Sequence, residues 1–375
     1  MFDQRRFPMA TNLLFDGPAP AAAAPAERPR IADDMALLKA AAELTRELSA
    51  PDPRIYWADF LASVMLGYAA LAGAIMFGGW PALALGAVAV LALYRAESFI
   101  HEITHVKHSA LRGFRGAWNA LIGVPLMVPS FMYEGVHNLH HAKTRYGTAE
   151  DPEYLPLALM KPWTLPVFIL VAALAPIGLI IRFALLAPLS LLSSRLRETV
   201  VARYSGLVIN PVFRRRPAEG DAKALWTRLE VFTSLWAVTF VTLAATGVLP
   251  LRALLIILGI ASAVAVLNQV RTLVAHLWEN EGEAMTVTAQ YLDSVNVPPP
   301  TLLPGLWAPV GLRYHALHHL LPSVPYHNLG IAHRRLAAML DPASLYFKAN
   351  YGGLPGLMWK IGLSSVSRGG RGLPR

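Results

Sequence analysis

The chain has 375 residues, of which 55% are hydrophobic and only 15% charged, with a mean hydropathy of +0.42. Soluble domains carry about 25% charged residues, so this composition excludes an ordinary soluble protein and points to an integral membrane one. Cysteine is absent, which removes disulfides, thiolate metal ligands and a cysteine nucleophile, and the net charge of +9 fits basic loops beside anionic membrane lipid rather than a nucleic-acid partner.

Residues 1–30 hold Arg5 and Arg6 but no apolar signal core, and an Ala/Pro tract runs from Pro18 to Pro29; a disordered N-terminal arm is expected there. An amphipathic surface helix and linker follow over 31–56. Ile31, Met35, Leu38, Ala41 and Leu48 supply its apolar residues, Asp33 or Asp34 is placed to cap it, and Pro51 and Pro53 end it, so it is expected to lie on the membrane surface. The membrane domain occupies 57–345. Residues 346–375 form a C-terminal tail, loose from Ser364 onward where Gly, Ser and Arg dominate.

Within the membrane domain, apolar runs at 60–77 and 82–93 are separated by Gly78, Gly79, Trp80 and Pro81. A span needs roughly 20 residues, so the pair predicts a hairpin whose second helix runs on past the lipid through Arg95 and Glu97. The stretch 119–132 is too short to span, contains Pro125 and Pro129, and is read as re-entrant or interfacial. Runs at 232–248 and 254–270 predict a second hairpin. Between the hairpins lies 163–192, broken by Pro166, Pro176 and Pro188 and followed by a loop rich in arginine (Arg195, Arg197, Arg203, Arg214, Arg215, Arg216), which the positive-inside rule places in the cytoplasm. If the histidine clusters described next share one compartment, parity makes 163–192 start and end on the same side. The expected fold is therefore all-α and integral to the membrane: four transmembrane helices in two hairpins, in-plane or re-entrant helices, and a cytoplasmic histidine-rich helical cap.

Nine of the 12 histidines fall in three boxes: His101, His105 and His108; His137, His140 and His141; His315, His318 and His319. Residues at i, i+3 and i+4 share a helix face. Any one three-histidine pattern arises by chance only about 0.01 times in a chain of this length and composition, and here the same pattern occurs twice. Clustered imidazoles cannot be packed as ordinary core, because each ring has two nitrogens to satisfy; they suit a borderline metal such as iron, zinc, copper or nickel. Eight box ligands, with His108 read as second shell or surface, exceed what one ion takes, so two ions are expected. His276, just beyond the last span, is a ninth ligand candidate, and Asn280 is placed to orient a ligand. Glu102, Glu134, Glu150, Asp151 and Asp293 are candidate acceptors for ligand N–H groups. His327 and His333 are read as non-ligands. The run from His101 to His105 also fits His-Glu-x-x-His, the zinc-protease pattern with Glu102 as base, but that reading leaves the other boxes unexplained. No phosphate loop, Gly-x-Ser-x-Gly elbow or dinucleotide fingerprint is present.

The three boxes, and the sequence from His318 through Pro322 and Pro325 to Asn328 and Leu329, resemble the integral-membrane fatty acid desaturase superfamily over roughly residues 57–340. The resemblance implies a non-haem centre of two iron ions on the cytoplasmic face, with His101, His105, His137, His140, His141, His276, His315, His318 and His319 as ligands and no catalytic residue beyond them. It implies O2 as co-substrate, an external ferredoxin- or cytochrome-type electron donor, and an acyl-lipid or acyl-thioester substrate. The leading expectation is a desaturase that introduces a double bond; the alternative is an acyl or hydrocarbon hydroxylase or acetylenase, and the distant one the intramembrane zinc protease.

Overall fold

Helix α1 (Met35–Thr45) begins at Asp34, whose carboxylate accepts the Leu37 N–H at 3.0 Å, while Asp33 holds the Thr288 N–H. The computed structural model describes residues 31–301 and 303–368; the expected arm over 1–30 lies outside them. Among the described residues there is no strand, only isolated bridges between helices.

α2 (Pro53–Met76) starts with Asp52 capping Arg54 N–H and proline in its first turn. After a turn at Gly78, α3 (Gly79–His105) returns alongside it. Gly67 permits the close approach: a Cβ there would sit 2.7 Å from Leu93 Cδ2. With 27 residues rising about 1.5 Å each, α3 is longer than the roughly 30 Å hydrocarbon core, and its last turns carry His101 and His105. Tyr56, Phe60, Phe99, Phe114 and Tyr326 interlock edge-on beneath them, with ring centroids 5.0–6.2 Å apart.

The short helix α4 (Phe114–Trp118) runs into a π-turn whose Trp118 and Ile122 are buried, and Asn119 clasps Ser130 through both side-chain and backbone contacts. This stretch folds back on the first hairpin without crossing, and α5 (His137–His140) follows. The second hairpin comprises α7 (Gly220–Ala245) and α8 (Leu251–Leu273); α6 (Ser194–Tyr204), capped by Ser193, precedes it.

Five helices are long and apolar enough to cross a membrane among the described residues, where four were expected; the fifth is Thr164–Leu192. It is helical throughout but changes character at each proline, passing through 3-10 and π turns. Near its start Phe168 meets Trp278, just past α8, with ring centroids 6.4 Å apart. Farther on, Ser262 of α8 donates to the Ala173 carbonyl. Beyond that, buried Arg182 binds Glu230 of α7 and the Tyr204 carbonyl of α6.

The C-terminal third differs most from expectation. Protein covers one apolar face of α1: Leu37 and Ala41 are buried in one cluster with Leu329, Ala332 and Leu336 of α11 (Tyr326–Met339), and Arg335 of that helix binds Glu47. An amphipathic face reports that something apolar covers it, not what. After α8 come α9 (Val287–Asp293), α10 (His315–Leu320), α11 and α12 (Leu354–Arg368). Ser364 lies in α12 rather than in a loose tail, because Leu357, Ile361 and Ser365 recur at helical spacing and are buried. Between α9 and α10, residues 293–297 form an extended splint. Leu277 N–H donates to Asp293, Val295 N–H to Ala275, Ala316 N–H to Val295 and Val297 N–H to Arg313. The splint ties the segment after α8 to the start of α10.

Candidate metal centre

Nine imidazoles converge in two buried groups: His101, His105, His137, His141 and His318 in one, and His140, His276, His315 and His319 in the other, the ligand atoms of each lying within 4.8 Å of one another. All nine expected residues are brought together. α3 supplies the first box, α5 and the residue after it the second, α10 the third. Helical spacing places His137 beside His141 and His315 beside His319, with Nε2 atoms 3.0 and 3.2 Å apart. The adjacent doublets each split between groups, and His141 and His319 stack across the boundary with centroids 4.2 Å apart.

His276 reaches the site from just beyond α8. α8 ends at Leu273, and His276 sits in an extended bridge to Ser294, held there by the splint. Trp278 follows with a φ of +62°, a strained conformation for a non-glycine residue, and its buried ring packs 5.0 Å from His276. Asn280 touches none of the nine; it donates to the Gly147 and Glu283 carbonyls.

The outer nitrogens of three rings are held by acceptors. Asp151 accepts His140 Nδ1–H at 2.9 Å, Glu153 accepts His137 Nδ1–H at 3.1 Å, and Tyr146 lies 2.8 Å from His276 Nδ1 while donating its own hydroxyl to Asp293. Each arrangement leaves the Nε2 lone pair turned inward, as metal-binding histidines require. Asp151 and Asp293 thus act as expected, the latter chiefly through Tyr146. Glu134 and Glu150 do not; they pair with Arg115 and Arg145. Glu153, Tyr133 and Tyr146 are the residues that sequence reading missed. The run Asp151, Pro152, Glu153 was a signal, two carboxylates two positions apart soon after the second box.

Glu102 is neither solvated nor free to act as a base. It accepts from the Tyr56 hydroxyl and from Tyr326 N–H, and its nearest approach to His101 Nδ1 is 3.6 Å. His108 lies away from both groups, against Arg115, so it supports no ligand. His327 and His333 are also elsewhere, bonded to Asp52 N–H and Tyr346.

Burial, reinforced by neighbouring histidines, depresses His137, His141, His276, His315, His318 and His319 well below the usual imidazole range. Burial opposes charge on His140 too, but the carboxylates of Asp151, Glu153 and Asp293 outweigh it and hold His140 above its ordinary value. Burial also pushes Glu153 up to about 7 and Asp293 to about 6.

The donor set fits metal. Nε2 atoms face one another at 3.0–3.2 Å in His276–His315, His105–His318 and His141–His318, and two such nitrogens share at most one proton. His101 Nε2 is buried with no hydrogen-bond partner among the described residues. Convergent unprotonated lone pairs in a buried site are costly unless a common Lewis acid takes them. With nitrogen donors and no thiolate, iron, zinc, copper and nickel are the matching ions.

An all-helical membrane protein with a buried double cluster of histidines is the class that fold and site define. A model of the fatty acid desaturase family matches residues 76–351. A ceramide hydroxylase of Caulobacter vibrioides (strain NA1000 / CB15N) is 49% identical over 335 residues, covering 87% of this chain and 93% of that protein. The chain belongs to the fatty acid desaturase family and is a membrane-bound oxidoreductase of lipid metabolism.

Proposed function

We propose that this protein hydroxylates the aliphatic part of a ceramide-type lipid, using O2 at a centre of two iron ions held by the nine clustered histidines. The observation that carries the choice of hydroxylation over the desaturation expected first is the 49% identity, over 87% of the chain, to a protein named as a ceramide hydroxylase. The reaction converts a C–H bond to C–OH; one oxygen atom of O2 enters the product, the other leaves as water, and two electrons from an external donor with two protons complete the balance. When bound, the irons supply reductive activation of O2.

The chain's own residues do the rest. The five-histidine and four-histidine groups would each hold one ion. Asp151, Glu153 and the Tyr146–Asp293 pair fix which imidazole nitrogen faces inward. Trp278, Tyr133 and Tyr154 wall the site and exclude water, which protects the oxidant from side reactions. We further infer that Thr164–Leu192 enters and leaves on one face. Phe168 lies beside Trp278 and Arg182 beside Tyr204, both on the side where α7 begins and α8 ends. That arrangement keeps both hairpins open toward the same compartment, the cytoplasm by the positive-inside rule.

Purified protein supplied with ceramide, a reducing system and labelled O2 tests the reading by mass spectrometry. The expected product gains one labelled oxygen atom. A product that has lost two hydrogens and gained no oxygen would return the assignment to desaturation.

A further inference from the structure

Away from the histidines, α6, the loop at 215–218 and the first two turns of α7 line a half-open cavity of about 370 Å3, within the range of pockets that take a small molecule. Its polar lining is dominated by donors: Arg197, Arg215, Lys223 and Trp226, with Thr227, and Glu198 as the single carboxylate. Arg197 already holds Glu230 at 2.7 Å. The Lys223 side chain has no partner among the described residues. Arg215 is stacked 4.4 Å over the Trp226 ring and donates to the Ser205 and Glu134 carbonyls, leaving its charge without a hydrogen-bonded carboxylate. Trp226 is 5% exposed and its Nε1–H is buried with no acceptor among the described residues. An unpaired indole N–H beside three cations calls for a ligand that is an acceptor and an anion.

The surroundings say where that anion comes from. Lys223 and Thr227 continue along one face of α7, at helical spacing, into Val231, Leu235 and Val238, and Val231, Leu235 and Val238 are exposed. On the other side Leu191 and Leu192, just before α6, are also exposed. The cavity therefore opens at the top of an apolar track on a helix long enough to span the membrane, at the depth of lipid headgroups.

We propose that this cavity is a binding site for the phosphate of an anionic membrane lipid, with the acyl chains lying along Val231 and Leu235. It is separate from the histidine centre but linked to it, since Arg215 holds the carbonyl of Glu134, three residues before His137. A soluble phosphate shares the headgroup chemistry but not the apolar track.

The test uses full-length protein in detergent, loaded with an equal mixture of phosphatidylglycerol and phosphatidylcholine and examined by native mass spectrometry. Wild type retains one phosphatidylglycerol in preference. Lys223→Ala lowers that retention about tenfold, as expected for one charge-assisted contact, and Trp226→Phe, which removes only the N–H donor, about threefold. Arg203→Ala removes an exposed charge of α6 that does not line the cavity, and leaves retention unchanged. Millimolar inorganic phosphate does not displace the lipid. The proposal is overturned if Lys223→Ala and Trp226→Phe retain the lipid like wild type, or if Arg203→Ala loses as much as Lys223→Ala. Displacement of the lipid by phosphate alone overturns it as well, by showing a site for a free anion.

Discussion

Asp151→Asn is the sharpest perturbation of the centre, because it keeps the shape and removes only an acceptor and a charge. Asp151 is fully buried. One carboxylate oxygen accepts from His140 Nδ1 at 3.0 Å and Glu153 N–H at 2.8 Å, the other from His140 Nδ1 at 2.9 Å and Gly147 N–H at 2.8 Å. Both oxygens therefore face a backbone donor. An asparagine NH2 points at an N–H in either flip, so no rotamer restores the set. Losing a charge-assisted bond costs about 1.5–3 kcal/mol, and leaving a buried donor unpaired about 1–3 kcal/mol, so a destabilisation of about 3–5 kcal/mol is expected. With only one neutral amide oxygen left to accept from its Nδ1, His140 holds its Nε2 lone pair inward less firmly, and weakening of such an outer partner typically costs ~10–100-fold in metal affinity. Metal content per chain under a chelator titration, read beside thermal unfolding in detergent, measures both. If Asp151→Asn holds metal against chelator as wild type does, the orienting role assigned to Asp151 is wrong.

Gly147→Ala should give a related defect by another route. Gly147 has a φ of +70°, and its added Cβ would lie 2.6 Å from Asn280 Nδ2, so about 1–2 kcal/mol of backbone cost comes with loss of the loop that presents Gly147 N–H to Asp151; unfolding midpoint and metal content should both fall. His319→Ala should shed metal more readily than His105→Ala, since the first removes one of four clustered ligands and the second one of five; metal analysis at graded chelator concentrations ranks them. His108→Ala should leave metal content and turnover unchanged, because His108 touches only Arg115 near the surface. Arg182→Met should destabilise the protein by about 3 kcal/mol, read by detergent unfolding, since it strands Glu230 with only its contact to Arg197.

The box histidines were legible because their spacing is local: i, i+3 and i+4 on a helix give one face whatever the helix packs against. The first hairpin and the second were legible for the same reason, from unbroken apolar length. What failed was long-range. Asn280 was placed near the ligands by its closeness in sequence to His276, but the chain beyond Leu273 pairs with the 293–297 splint, and no periodicity announces an isolated bridge. Glu153 was missed because it reaches His137 from a loop, where side-chain direction follows from turn geometry rather than from a repeat. α1 was assigned to lipid because amphipathicity does not name its partner, and only Leu329, Ala332 and Leu336 show that α11 covers it. Glu102 looked like a base in a five-residue motif, and it is Tyr56 and Tyr326, distant in sequence, that occupy it.

The split doublets have a further consequence. His140 serves one group and His141 the other, and His319 and His318 do the same from the opposite side. Consecutive Cα atoms are about 3.8 Å apart across a trans peptide, so two covalent links bridge the two groups like the ties of a track. Helix packing sets where the pair of groups sits, but the gauge between them is fixed by bonds that do not stretch when the surrounding bilayer thickens, thins or changes its lipid.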